Sequence, residues 1–247
     1  MIGPGETRLS GGNVSSAVRI GEHVHRSTHE RTEYVHKLLR FLAAHDFGAS
    51  PRLRGLDEDG REILEYVPGD VYHGGPAPGW MGNGESLGSV VALVRELHDL
   101  TAGQPLAAGA EVVCHGDIAA RNLVFRGRFA VCLLDWDLAA PGPRVKDLAL
   151  MARRLLNLGP GGPAPAVQGS RIRALLDAYG WQDRDGFIFR IIEYQAQMIS
   201  AMAGLAATGD ARYRTMVHRW SSHRDHAAVV LAWLVDHAQD LQEALIG

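Results

Sequence analysis

The sequence predicts an α+β fold in which a small β-rich N-terminal lobe precedes a larger, mostly helical C-terminal lobe. Three features carry that expectation. The first seventy residues are short alternating segments set between turn residues, with a single helical pattern among them. The stretch HGGPAPGWMGNG at 73–84 is rich in Gly and Pro and reads as a loop. From Arg171 onward the apolar residues recur almost throughout at helical spacing.

The elements follow in order. Leu9 to Asn13 is a turn signal, and Val14, Ala17, Val18 and Ile20 then alternate as in a strand. Gly21-Glu22 can turn the chain so that His23 to Arg26 returns as its partner. Ser27 with Glu30 has the spacing of a capping box, and Val35, Leu38, Leu39 and Leu42 form one apolar helix face. Gly48 and Pro51 end that helix. A second hairpin, Arg52 to Leu56 and Glu62 to Val67, turns at Asp57–Gly60. The sequence thus divides into an N-terminal lobe with its linker (1–69) and a C-terminal lobe (70–247). In the latter, Leu87, Val90, Val91, Val94 and Leu97 mark an amphipathic helix. Strands are expected at Val112–Cys114, Leu123–Phe125 and Val131–Leu134, a helix over 146–158 and a loop over Gly159–Gly169. Helices then run over Ile172–Tyr179, Phe187–Ala207 and Tyr213–Leu245.

Composition narrows the function. At 247 residues, with 46% hydrophobic and 21% charged side chains, the chain is an ordinary globular one. Its 25 basic and 28 acidic residues give a net charge of -3, which disfavours a dedicated nucleic-acid binder. No apolar run reaches the roughly 20 residues of a membrane helix, and the N-terminus lacks an export signal, so a cytoplasmic protein is expected. Cys114 and Cys132 sit in apolar runs and read as reduced core thiols. The 12 histidines form no recognisable zinc pattern.

One stretch carries chemistry. Cys114-His115-Gly116-Asp117-Ile118-Ala119-Ala120-Arg121-Asn122 precedes a hairpin, and Leu133-Leu134-Asp135-Trp136-Asp137 follows it. Asp and Asn in loops are most often turn formers or caps. Here they recur in a fixed order between apolar strands, so that Asp117, Asn122 and Asp135 can converge. Such a set offers a carboxylate to take a proton and oxygen ligands for a hard cation such as Mg²⁺, which is what phosphoryl transfer requires.

The segment His115-Gly116-Asp117…Asn122 with Asp135-Trp136-Asp137 resembles the aminoglycoside phosphotransferase and choline kinase-like family, which has the protein-kinase-like fold. The resemblance covers most of the chain and is densest over 112–150. It implies a catalytic base at Asp117 and Mg²⁺ ligands at Asn122 and Asp135, with Asp137 as a supporting acid or further metal contact. His115 and Asp147 would brace the catalytic loop, although Asp147 also suits the first turn of a helix. His98 matches a family position, with packing an equal reading. Trp136 reads as a packing residue.

In the N-terminal lobe the resemblance puts the nucleotide-covering loop at Gly11 and Gly12. It puts the phosphate-gripping cation at Arg26, where the family has Lys. Arg can hold phosphate oxygens bidentately, and an exposed Arg at a strand end is the competing reading. Glu30 and Glu33 are the candidate helix acids to orient that cation. The backbone of Glu65 to Val67 would meet the nucleotide base. The implied activity is transfer of the γ-phosphoryl group of ATP or GTP to a hydroxyl of a small metabolite or antibiotic, by a monomer or homodimer with no nucleic-acid or membrane partner. The alternative is a non-catalytic immunity or binding protein, which the Arg at 26 favours and the complete acidic set opposes. The acceptor would be chosen by loop 73–84 and the helices after 170. Acids there are interspersed with arginines, which points to an acceptor less cationic than an aminoglycoside.

Overall fold

A computed structural model of the chain describes residues 6–9, 17–72, 77–207 and 217–247. Gly11, Gly12 and Val14 lie outside the described residues, as do residues 73–76 of the first Gly/Pro-rich loop.

The N-terminal lobe is a five-stranded antiparallel sheet crossed by one helix. Strands β1 (Glu6–Arg8), β2 (Val18–Ile20), β3 (His23–Arg26), β4 (Leu53–Leu56) and β5 (Glu62–Glu65) stand in the order β1-β2-β3-β5-β4. Both predicted hairpins form, turned by Gly21 and by Asp57–Gly60. In the second, Asp57 Oδ1 accepts from the amides of Asp59 and Arg61 at 3.1 and 2.8 Å. Between the hairpins, β3 pairs with β5, and the register sets Arg26 opposite Glu62.

Helix α1 (Thr32–Ala44) buries Val35, Leu38, Leu39 and Leu42 as the periodicity requires. It begins four residues later than the Ser27–Glu30 box predicts, with Arg31 at the cap and no side-chain cap bond. The intervening residues are drawn to the other lobe. His29 Nε2 lies 3.1 Å from Asp137 Oδ1, and Arg31 Nη2 donates to the Ala139 carbonyl. Those contacts replace the first helical turn.

The lobes join through Pro68-Gly69-Asp70. Asp70 exchanges both main-chain hydrogen bonds with Phe125, at 2.8 and 2.9 Å. Gly69 has φ +153, and a Cβ there would lie 2.5 Å from the Phe125 carbonyl oxygen. Only glycine lets the linker pass this close to the hairpin that begins at Leu123.

The C-terminal lobe opens with α2 (Gly84–Thr101), whose Val90, Val91, Val94 and Leu97 are fully buried. Burial of such a side chain contributes about 1.5–3 kcal/mol. Strand β6 (Val112–Cys114) pairs with β9 (Ala140–Gly142), and β7 (Leu123–Arg126) with β8 (Phe129–Leu133), so the segment between the pairs loops out with its polar residues clustered. Helices α3 (Arg144–Leu155), α4 (Pro165–Tyr179), α5 (Phe187–Ala207), α6 (Val217–Asp236) and α7 (Ala238–Ile246) complete the lobe. Helix α4 starts inside the stretch predicted as loop, because Pro165 is pre-set for a first helical position. Of the predicted helix Tyr213–Leu245, residues 213–216 lie outside the described residues, and the rest divides at His237, whose amide and Nδ1 both engage the Trp233 carbonyl. One continuous apolar core joins the two lobes, running from Val35 of α1 to Leu245 of α7. No described helix is long and apolar enough to cross a membrane.

The linker geometry yields a stability test. Gly69→Ala combines a left-handed φ with a backbone clash and should lower the urea unfolding free energy by about 2–4 kcal/mol. Gly21→Ala, at φ +58 with nothing within 4 Å of the added Cβ, should cost only about 1 kcal/mol. Equal losses would show that the close approach at Gly69 carries no cost of its own.

Candidate active site

The site begins with a buried brace. Asp147, in the first turn of α3, is fully buried. Its Oδ2 accepts the His115 amide at 2.6 Å and its Oδ1 the Gly116 amide at 2.9 Å. His98 Nε2 on α2 lies 3.1 Å from Oδ2, and its Nδ1 is 2.8 Å from the Tyr179 hydroxyl, which accepts from Arg144 Nη1 at 2.9 Å. One consistent proton arrangement satisfies the chain: Arg144 donates to Tyr179, Tyr179 to His98, and His98 to Asp147. Burial acts to raise the Asp147 pKa, but the hydrogen bond from His98, the favourable electrostatics of the His98 and His115 rings and the Gly116 amide outweigh it, and the pKa is lowered. The adjoining Cys114 thiol donates to the Pro143 carbonyl at 3.2 Å, and burial pushes its pKa well up, so it remains a thiol. Cys132 is likewise free and buried.

That brace fixes the loop carrying His115, Asp117 and Asn122. Gly116 has φ +79, and a Cβ on it would sit 2.6 Å from the Leu138 carbonyl oxygen, so the middle position of His-Gly-Asp admits only glycine. His115 is fully buried, and its pKa is lowered chiefly by that burial. Its Nε2 donates to the Leu134 carbonyl at 3.1 Å while Nδ1 accepts the Asp117 amide at 3.3 Å, which defines a neutral imidazole. The ring also packs on Trp136, centroid to centroid 4.7 Å. Trp136 is 2% exposed and donates Nε1–H to Leu133, so it is a packing residue.

Asp117 lies at the centre. Asn122 Nδ2 donates to its carbonyl at 2.8 Å and to its Oδ2 at 2.7 Å. Arg121 Nη2 donates to the same Oδ2 at 2.6 Å, and Arg154 on α3 pairs with Oδ1. With its Nδ2 committed, Asn122 keeps Oδ1 uncommitted among the described residues. Asp135 follows β8, held beside Asn122 by the Leu134 amide, which donates to the Asn122 carbonyl at 2.8 Å. Its backbone is left-handed, at φ 60, and its carboxylate is 45% exposed. An amide oxygen beside an open carboxylate is a donor set suited to Mg²⁺.

Arg26 is buried and crosses from β3 to the C-terminal lobe. Its Nε pairs with Glu62, its Nη2 donates to Asp137 Oδ1 at 2.7 Å, and its Nη1 lies 3.7 Å from Asp135. Burial acts to lower its pKa; the charges of Asp137, Glu62 and Asp135 prevail and raise it. Glu62 is itself held by His36 of α1 at 2.9 Å.

Several sequence expectations change here. Arg26 is not an exposed strand end. Neither helix acid orients it: Glu30 is exposed, and Glu33 is exposed and pairs with Lys37 at 2.7 Å. The orienting acid comes instead from the neighbouring strand. Asp137, expected among the metal ligands, directs Oδ1 to Arg26 and His29 and acts as a partner of the cation. Glu62, Arg121, Arg154 and Tyr179 were not singled out by the sequence. The β3–β5 register signals Glu62, and the four-residue spacing from Asp117 signals Arg121. Arg154 and Tyr179 have no local signal.

In the linker, the Glu65 amide donates to Arg52 and the Tyr66 amide to Glu22, both at 2.9 Å. The amide and carbonyl of Val67 carry no hydrogen bond among the described residues. The main-chain groups of Val67 are thus uncommitted within the described structure.

Comparison with known proteins agrees with this geometry. The sequence profile of the phosphotransferase enzyme family matches residues 84–187, which include the whole polar cluster from His98 to Arg154. The trifolitoxin immunity protein of Rhizobium leguminosarum bv. trifolii is 30% identical over 273 residues, covering 97% of this chain and 98% of that protein. Among solved structures, a choline/ethanolamine kinase family protein from Mesorhizobium loti matches with a TM-score of 0.61 and 17% identity, covering 99% of this chain and 93% of that one. The gentamicin complex of APH(2")-IIa gives 0.60 and 14%, with coverages of 89% and 90%. The macrolide 2'-phosphotransferase of Brachybacterium faecium gives 0.60 and 20%, with coverages of 92% and 91%. The fold is therefore protein-kinase-like, and the chain belongs to the phosphotransferase enzyme family.

Proposed function

We propose that the protein is a small-molecule kinase that transfers the γ-phosphoryl group of ATP or GTP to a hydroxyl of a small acceptor. The observation that carries this reading is the Asp117–Asn122 pair. A buried carboxylate is fixed by the amide of a residue whose carbonyl oxygen remains open, with the exposed Asp135 beside it.

In this reading the nucleotide base meets the main chain of the linker at Glu65 to Val67, chiefly at Val67. Arg26 retains two unspent N–H donors on Nη1 for phosphate oxygens, while Glu62 and Asp137 fix its plane. Asn122 and Asp135 would hold Mg²⁺, whose charge offsets that of the phosphates. Asp117 orients the acceptor hydroxyl and accepts its proton as the hydroxyl oxygen bonds to the γ-phosphorus. The bond to the β,γ-bridging oxygen breaks, and the nucleoside diphosphate leaves. His115 and Asp147 keep the loop in register without touching reactants.

A second reading, immunity by sequestration, is favoured by the name of the 30% identical relative and by Arg26 standing between Asp135 and Asp137. Protection of cells that survives Asp117→Asn would support binding alone; protection lost with that substitution supports turnover.

Two measurements address the kinase reading. Mg²⁺ with ATP or GTP should raise stability by about 2.7 kcal/mol at a hundredfold excess over Kd. Asp135→Ala should remove the Mg²⁺-dependent part of that gain and leave the unliganded melting temperature within a few degrees. No shift with either nucleotide would sink the catalytic reading.

Asp117→Asn should lower turnover by about 10²–10⁴-fold while nucleotide affinity stays nearly constant. Turnover within about threefold of the parent, far below that range, would remove Asp117 as the base.

A further inference from the structure

We infer that the acceptor carries an anionic group close to the hydroxyl that is phosphorylated, recognised by Arg154 and Arg121. The inference rests on the phosphoryl-transfer reading above and adds the acceptor's chemical class.

It starts from the lone pairs of Asp117. A carboxylate offers about four acceptor positions, two on each oxygen. On Oδ2 both are taken, one by Arg121 Nη2 at 2.6 Å and one by Asn122 Nδ2 at 2.7 Å. On Oδ1 the described structure places only Arg154. A hydroxyl that gives its proton to Asp117 must therefore approach Oδ1, an oxygen closed off from solvent against Arg154 Nη1, so the acceptor has to draw the Arg154 guanidinium aside and then lies directly beside it.

The charge at that point does not balance. Arg154 has no acidic partner but Asp117 among the described residues, and Asp117 is shared with Arg121. Its other polar contact is Met198 Sδ at 3.5 Å, which carries no charge. Asp135 lies near enough to Arg121 to favour its charged form, but in the kinase reading that carboxylate is spent on the metal. Two guanidinium groups thus face one carboxylate, with one positive charge left over. Burial opposes the charge on Arg154 and pushes its pKa down to about 10. A buried cation in excess of its partners gains most from an incoming anion.

Arg154 Nη1 is buried against Asp117 Oδ1, yet part of each side chain reaches solvent. The Arg154 side chain is 21% exposed and that of Arg121 36% exposed, beside an Asp117 side chain that is 8% exposed. A carboxylate or phosphate two to four bonds from the acceptor hydroxyl can meet them while the hydroxyl rests on Oδ1. An ammonium group in the same place would face two cations. The acceptor class is a hydroxy acid or a hydroxyl compound already bearing a phosphate. Carboxylate and phosphate share this chemistry, and the test separates them.

The test uses the full-length protein with Mg²⁺ and γ-³²P-labelled ATP and GTP. Small-molecule extract is divided by charge into cationic, neutral and anionic fractions, the anionic one being assayed with and without prior phosphatase treatment. Nucleotide binding is followed in parallel by thermal shift. Transfer of label to the anionic fraction is expected; loss of acceptor after phosphatase treatment identifies a phosphate and persistence a carboxylate. Arg154→Leu should reduce that incorporation by about 10- to 100-fold, the span of one hydrogen bond to a charged group. It should also lower the ratio of anionic to neutral incorporation, which a purely structural role would leave unchanged, and Arg154→Lys should restore part of it. Arg121→Leu, at the more exposed position, provides the same readout if Arg154→Leu fails to fold. Transfer to neutral or cationic acceptors, an unchanged ratio in both variants, or nucleotide binding without transfer to anionic acceptors overturns the inference while nucleotide binding stands. Absence of nucleotide binding overturns the kinase reading itself, and the acceptor class with it.

Discussion

The arrangement of the polar cluster depends on one fully buried carboxylate. Asp147 takes hydrogen bonds from two consecutive loop amides and from His98, so a single side chain ties α2, α3 and the loop bearing Asp117 together. A charge in that position is tolerable only because each of its partners is present; breaking a buried pair typically costs about 3–5 kcal/mol. The requirement runs outward. His98 must present Nε2–H, so its Nδ1 must accept from Tyr179, whose oxygen in turn accepts from Arg144. The position of Asp117 is therefore set by residues that never approach it.

A second constraint joins the lobes. Arg26 stands where a strand cation grips phosphate in the related fold, and its orienting acid sits directly across the β3–β5 ladder rather than on α1. Helix α1 contributes only through His36, which holds the far oxygen of Glu62. The cation is consequently fixed within a single sheet, whose register does not vary with the helix position. The same guanidinium reaches Asp137 in the other lobe, so the sheet and the segment after β8 share one ion-paired network. His29 and Arg31 reinforce it from the segment that leads into α1. The delayed start of that helix is the visible consequence.

Around Asp117 the electrostatics differ between the two sides of the cleft. On the side of the N-terminal sheet, Asp135, Asp137 and Glu62 outnumber Arg26. Toward the helical wall, Arg121 and Arg154 outnumber Asp117. The arginine that pairs with Asp117 Oδ1 is Arg154 of α3, which precedes the helices after 170.

Much of this architecture was legible in the sequence. Local periodicity placed α1, α2, α5 and both N-terminal hairpins, because alternation and helical spacing follow directly from which side chains must be buried. The spacing of His115, Gly116, Asp117, Asn122 and Asp135 was equally readable, since a loop and a two-stranded hairpin are enough to bring them together. What the sequence could not supply depends on distant packing. The cap of α1 moved because His29 and Arg31 found partners 108 residues on in the chain. Glu62 became the partner of Arg26 through strand register, Tyr179 joined the brace from 81 residues beyond His98, and Arg154 met Asp117 because α3 packs behind the loop. Composition and spacing determined which polar side chains come together in the loop and hairpin. Only the tertiary structure decided which charges face one another, because ion pairs between remote segments have no local energetic signature.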